Sequence, residues 1–286
     1  MQEKLKTLTD AQMRLRYYRL GFYGGAIVAL LLIYFMPVLG FVGSAGLIIF
    51  YLFFLRPQTK KFQISVKKAI LEESFRSCLK AITYTEKNGI PKEQISKASY
   101  LPVGHEDAIL IRDTLQGNYQ GKPALVSDLT TDYPTFYSGG KANDRKNVGF
   151  LSGVWYEIDL GKRPGPDCIV WPRDNIGDAA EDYFFGKYEK GGLNSSLSES
   201  HTLYYTGSDR TELSEKFLHA LEKLVEYTPG DVSCQISGSV VRLFIRNRFL
   251  FNAKVNPKLE LSEKLLTAST PFPEINQITR VIDSLL

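Results

Sequence analysis

No charged residue occurs between Arg19 and Arg56, and that stretch constrains the chain more than any other feature. As one helix it would run about 54 Å, far beyond the roughly 30 Å hydrocarbon core of a bilayer. Two spans joined by a sharp reversal fit instead. The first runs from Tyr17 to about Met36 and holds Phe22, Ile27, Val28, Leu30, Leu31, Leu32, Ile33 and Phe35. The second runs from about Leu39 to Leu55 and holds Val42, Leu47, Ile48, Ile49, Phe50, Leu52, Phe53 and Phe54. Met36-Pro37-Val38-Leu39-Gly40 supplies the expected break, because proline cannot continue a helical hydrogen-bond ladder and glycine tolerates a turn. Two alternatives explain less. A signal peptide would have a shorter apolar core and a small-residue cleavage site. A soluble core hairpin of this length would show a polar face.

The flanks set the orientation. Arg14, Arg16 and Arg19 precede the first span, Arg56, Lys60 and Lys61 follow the second, and the connecting turn has no charge. The positive-inside rule then places both termini in the cytoplasm. Tyr17, Tyr18, Tyr23, Tyr34 and Tyr51 fall near the span ends, where aromatic rings anchor at the interface. Gly21-x-x-x-Gly25 has the spacing that lets two helices approach closely, within one chain before between chains.

The net charge is +4, yet residues 1–61 carry eight Lys/Arg against Glu3 and Asp10 alone. The rest is therefore slightly acidic. A nucleic-acid-binding domain would carry its basic excess on the folded part, so nucleic acid is not expected as a partner. Cys78, Cys168 and Cys234 are widely spaced, with no C-x-x-C, and suit reduced thiols in a cytoplasmic domain.

The chain divides at about residue 61 into a basic N-terminal helix with a transmembrane hairpin (1–61) and a cytoplasmic domain (62–286). Ile64, Leu71, Phe75, Cys78, Leu79 and Ile82 have helical spacing and predict a juxtamembrane helix from Gln58 to Tyr84, stopped by Asn88-Gly89-Ile90-Pro91. Asp107–Leu115 and Ala124–Leu129 read as a hairpin around 116–121, and Val148–Leu160 and Cys168–Trp171 as two more strands. Residues 136–147 and the Ser195–Ser198 stretch read as loops. Leu203–Tyr205 reads as a strand, and a helix is expected from Asp209, with Glu212 completing a capping-box pair and Leu213, Phe217, Ala220, Leu221 and Leu224 on its buried side. Val232–Ile236 and Val240–Ile245 form a second hairpin, and a last helix covers Glu274–Leu286. Without a regular β-α-β rhythm this is an α+β domain with mainly antiparallel pairing.

Chemistry is harder to find. No phosphate-binding glycine loop and no G-x-S-x-G elbow occurs. His105-Glu106-Asp107 is the densest titratable cluster, but it has no second His or Cys at ligand spacing, so neither a metal nor a cofactor is expected. Cys168, beside Asp167, has no histidine near it in sequence. His105, Asp107 and Cys168 are the weak catalytic candidates. Trp155-Tyr156, Trp171 and Tyr183-Phe184-Phe185 suit core packing or an aromatic docking patch. Arg242, Arg246 and Arg248 alternate along one strand face, which suits solvent or anionic lipid.

The order of parts resembles a bacterial membrane family, domain of unknown function family 3137. The similarity lies in the basic helix, the two close spans, the helix ending at Asn88-Gly89-Ile90 and the Ser99…Asp107 lead-in. It continues through Phe150-Leu151-Ser152-Gly153-Val154-Trp155, Leu203-Tyr204-Tyr205-Thr206…Asp209 and the hairpin ending Leu250-Phe251. The family implies no catalytic residues. Its members are often encoded beside LemA-type membrane proteins, which makes such a protein a possible partner. The expectation is an inner-membrane, multi-pass protein whose cytoplasmic domain binds a protein partner as an adaptor or scaffold. The alternative is a membrane-tethered enzyme, such as a hydrolase.

Overall fold

The computed structural model describes residues 2–98, 100–135, 147–173, 176–228, 231–250 and 272–286. The chain forms two compact units, one built on Met1–Ser74 and the other on Phe75–Asn252 with Pro271–Leu286.

The first unit is a helical hairpin. Helix α1 (Gln2–Phe35) runs unbroken from the basic N-terminal segment through the apolar stretch. Helix α2 (Pro37–Phe50) starts one residue later. The reversal is narrower than the sequence suggests: only Met36 leaves helical geometry, at φ −140°, and Pro37 occupies the first helical turn, where its missing N–H has no partner to lose. Gly40 is needed inside α2, because a Cβ there would lie 2.3 Å from the Ile33 backbone nitrogen. Residues Tyr51–Leu55 form a single π-turn, followed without interruption by α3 (Arg56–Ser74). Pro57 accounts for the widening, since it cannot donate to the Phe53 carbonyl; the Arg56 N–H reaches back to Tyr51 instead.

The second unit is one nine-stranded antiparallel sheet flanked by helices, an α+β arrangement. In chain order the strands are β1 (Lys80–Lys87), β2 (Leu110–Tyr119), β3 (Lys122–Thr135), β4 (Asn147–Asp159), β5 (Cys168–Pro172), β6 (Glu189–Gly191), β7 (His201–Tyr205), β8 (Val232–Ser237) and β9 (Val240–Arg246). Their order across the sheet is β1-β2-β3-β4-β9-β8-β5-β7-β6. The helices are α4 (Lys92–Lys97), α5 (Asp178–Phe185), α6 (Leu197–Ser200), α7 (Glu215–Tyr227) and α8 (Ile275–Asp283).

Both faces of the sheet are buried, and the strand period of two sorts the side chains between them. One face carries Leu151 and Trp155 of β4, Ile169 and Trp171 of β5, Tyr204 and Phe244, packed with Tyr100, Ile95 and Phe185. The other carries Val154, Tyr156, Ile158, Leu243 and Ile245, all buried. On α8, Asp283 accepts a 2.6 Å hydrogen bond from the Tyr119 hydroxyl of β2, and Ile278, Val281 and Ile282 are buried.

Several expectations shift. The helix expected over Gln58–Tyr84 ends at Ser74, and its last turns are strand β1, paired with β2 from Lys80↔Asn118 to Lys87↔Arg112. The first hairpin is longer and its turn shorter than expected: Tyr119 pairs with Lys122, and Gln120 and Gly121 both have positive φ, the geometry that follows strand twist in a two-residue turn. Helix α7 starts at Glu215 under Ser214, whose hydroxyl accepts from the Phe217 N–H. Asp209 instead turns its own loop, accepting from the Thr211 N–H and hydroxyl. The stretch around Leu197, expected as a loop, is the short helix α6 with Leu197 buried. The loop expected over Phe136–Asn147 lies outside the described residues up to 146, and Asn147 opens β4.

Candidate functional site in the apolar hairpin

Helices α1 and α2 pack antiparallel. Tyr18 meets Phe54 edge to face at 5.0 Å between ring centroids, and Phe22 meets Tyr51 at 5.6 Å. Deeper in, a Cβ on Gly25 would touch the Leu47 side chain, and one on Gly43 would lie 3.8 Å from the Ala29 Cβ. A Cβ on Gly21 would meet nothing within 4 Å, so of the expected Gly21-x-x-x-Gly25 pair only Gly25 serves this packing.

The outward side of the hairpin is almost entirely apolar and uncovered. Leu31 is 56% exposed, Ile49 58% and Phe53 78%. Two helical stretches, Glu3–Phe35 and Pro37–Ser74, are long and apolar enough to cross a membrane, and their apolar windows are 6% and 11% buried. A helix of a soluble core would be mostly buried, and these windows are not. From Leu20 to Phe35, α1 rises about 24 Å, close to the hydrocarbon thickness. Tyr17 lies in mid-α1 and Leu39 inside α2, while Met36 is the reversal and Leu55 closes the π-turn.

The hairpin continues past the apolar zone as a polar pair. Leu8 and Leu15 of α1 and Phe62, Val66 and Ile70 of α3 are buried, while Lys4 and Lys68 both bridge to Glu72, at 2.8 and 3.7 Å. Six basic residues, Arg14, Arg16 and Arg19 on α1 and Arg56, Lys60 and Lys61 on α3, collar this end.

The titratable candidates do not converge. His105 Nδ1 lies 2.9 Å from Asp132 Oδ2, and the His105 backbone N–H donates to Asp132 Oδ1 at 2.9 Å. Asp132 is partly desolvated, but the bonds from His105 win and hold its carboxyl below the usual range. The pair ties the 104–105 turn to β3, with the imidazole 70% exposed. Asp107 sits exposed in a short 3-10 turn, and its backbone carbonyl accepts from Lys92. Cys168 is buried in β5, where desolvation pushes its thiol up to about 12. Asp132 on β3 and Cys168 on β5 are four strand positions apart, about 19 Å along the sheet. Among the described residues no group of three or more His, Cys, Asp or Glu could hold a metal ion.

The other candidates resolve into structure. Trp155, Tyr156, Trp171 and Phe185 are buried, leaving Tyr183 as the exposed member of the aromatic set at 51%. The three arginines are each paired: Arg242 with Glu157 at 2.6 Å, Arg246 with Asp231 at 3.5 Å and Arg248 with Glu274 at 2.5 Å. Arg242 is mostly covered, while Arg246 and Arg248 stay partly exposed, and Arg248 lies beyond the end of β9. Sequence reasoning missed the network that Arg242 joins. Gln94 of α4 donates to Glu157, Arg242 also donates to Gln235, and Gln235 donates to the Ala98 carbonyl. No local signal links residues so distant in the chain.

Comparison with protein-family models, with curated proteins and with solved structures finds no significant match to this chain.

Proposed function

We propose that this chain is an inner-membrane, multi-pass anchor protein whose cytoplasmic α+β domain holds a protein partner at the membrane face, as an adaptor or scaffold. The observation that carries this reading is the uncovered apolar hairpin, closed at one end by an uncharged reversal and collared at the other by six basic residues. Under the positive-inside rule that collar faces the cytoplasm, and with it both termini. The sheet domain supports binding over catalysis in one respect: His105 and Asp107 share a short turn beside β3, four strand positions from Cys168, and the buried thiol is held protonated. The resemblance to domain of unknown function family 3137 makes a LemA-type membrane protein the first partner to test. The reading has two parts and two tests. Reporter fusions at the C-terminus should be active only in the cytoplasm; activity on the outer side overturns the topology. Crosslinking and mass spectrometry in native membranes should recover one reproducible protein partner attached through the sheet domain; crosslinks confined to the chain itself overturn the adaptor role.

A further inference from the structure

Where α1 and α3 leave the apolar zone they part to form a groove of about 420 Å³. Its floor is apolar, from Leu15 and Phe62, both buried. Its walls carry Arg14 from one helix and Lys61 from the other. Folding the chain about Met36 brings these two cations to one level. Each lies six residues beyond the uncharged zone, so its Cα sits about 9 Å outside the hydrocarbon edge. The headgroup layer is about 5–8 Å thick there, and both long side chains can snorkel back into it. Tyr18 and Gln58 line the membrane-proximal mouth, and Asp10 lies one helical turn farther out.

Pairing separates these two cations from their neighbours. Lys4 and Lys68 share the Glu72 carboxylate. Among the described residues the Arg14 and Lys61 side chains make no ion pair and no hydrogen bond, although they line a concave site together. With Asp10 the groove carries a net single positive charge, which complements one phosphodiester.

We propose that this groove binds the headgroup of an anionic phospholipid, with its phosphate between Arg14 and Lys61. Arginine supplies a planar fork for two phosphate oxygens and lysine a point charge opposite. The acyl chains descend past Tyr18 along the outer surface of the hairpin. A hydroxyl-bearing headgroup such as that of phosphatidylglycerol points away from the membrane and donates to Asp10. A zwitterionic headgroup carries no net charge and leaves the single positive charge of the groove uncompensated. The groove would thereby fix the height and tilt of the helix pair against the headgroup layer.

The proposal rests on the membrane reading, and its test separates the two. The full chain is reconstituted into phosphatidylcholine bilayers containing a minority of phosphatidylglycerol or, in a parallel arm, phosphatidylethanolamine. It is then released in mild detergent and weighed by native mass spectrometry. Failure to enter bilayers at all counts against the membrane reading. A chain that enters them should retain one phosphatidylglycerol in preference to the other lipids. Arg14→Gln with Lys61→Gln should lower that retained population about tenfold, while the charge-preserving Arg14→Lys with Lys61→Arg, and Arg19→Gln outside the groove, should keep most of it. The proposal is overturned if insertion occurs without preference, or if phosphatidylethanolamine is retained equally. It is equally overturned if Arg19→Gln lowers retention as much as the double variant, or if millimolar inorganic phosphate displaces the lipid.

Discussion

A thiol withdrawn from water is a weak acid, and all three cysteines show it. Burial raises Cys168 to about 12 and Cys78 to about 11, and it holds Cys234 well above its ordinary value. At pH 8 the thiolate share of Cys168 is then about one part in ten thousand, against about a tenth or more for a free thiol. Maleimide should therefore label Cys78 slowly in the folded protein and reach Cys168 and Cys234 only after denaturation; fast native labelling of Cys168 would reopen its role as a nucleophile. His201 is buried with Nε2 2.9 Å from the Val232 carbonyl, and desolvation lowers its pKa from 6.5. The unfolded chain then takes up this proton more readily than the folded one, so the contribution of His201 is complete above pH 6.5 and declines as pH falls toward its folded value. The denaturation midpoint of the detergent-solubilised chain should drop between pH 7.5 and 5.5, and His201→Gln should flatten that drop. Neither environment is legible from sequence. Cys168 and Cys234 come to adjacent strands because β5 pairs with β8, and the His201 ring reaches the Val232 carbonyl, placements that only the sheet order creates.

At the scale of elements, the hairpin was readable because solvent alone dictates it: an uncharged run too long for one span, with proline at its middle, has few ways to fold. Its register follows from the reversal at Met36 and makes a sharp prediction. Ala29 and Gly43 would present Cβ atoms 3.8 Å apart, within disulfide range, so Ala29→Cys with Gly43→Cys should crosslink within one chain on mild oxidation, and Gly21→Cys with Gly43→Cys should not. Interchain dimers alone would show that the helices pair between molecules. The end of α3 was misread for an equally physical reason. Phe75, Leu79 and Ile82 fit a helical stripe, but Thr83-Tyr84-Thr85 favours a strand, and long-range pairing with β2 decided the matter. The network that locks α4 to the sheet was invisible for the same reason. Glu157→Leu should cost about 3 kcal/mol by leaving Arg242 without its carboxylate, and adding Arg242→Met should restore much of it, read from denaturant midpoints. Equal losses in the single and double variants would mean that the pair itself does not carry the effect.

For the whole molecule the decisive quantity is the free energy of placing the hairpin in lipid. The strongly apolar residues of each span contribute about −0.3 to −0.6 kcal/mol apiece, or about −2 to −5 kcal/mol per span. An arginine at the centre of a span costs about 2.5–3.5 kcal/mol, enough to cancel most of one span. Leu31 and Ile49 are the informative positions because both side chains face outward, at 56% and 58% exposure. Arginine there leaves the packing of Gly25 on Leu47 and Gly43 on Ala29 intact. Leu31→Arg with Ile49→Arg should therefore shift the chain from the membrane pellet to the supernatant or to aggregates. Phe150→Arg, at an exposed position of the sheet domain, should leave fractionation unchanged. If the double variant still pelleted with membranes, the apolar surface would not be what holds the chain there. Attachment would then have to come from the basic collar, and raising ionic strength would release it, because surface charge is screened within about 8–10 Å while buried apolar surface is not.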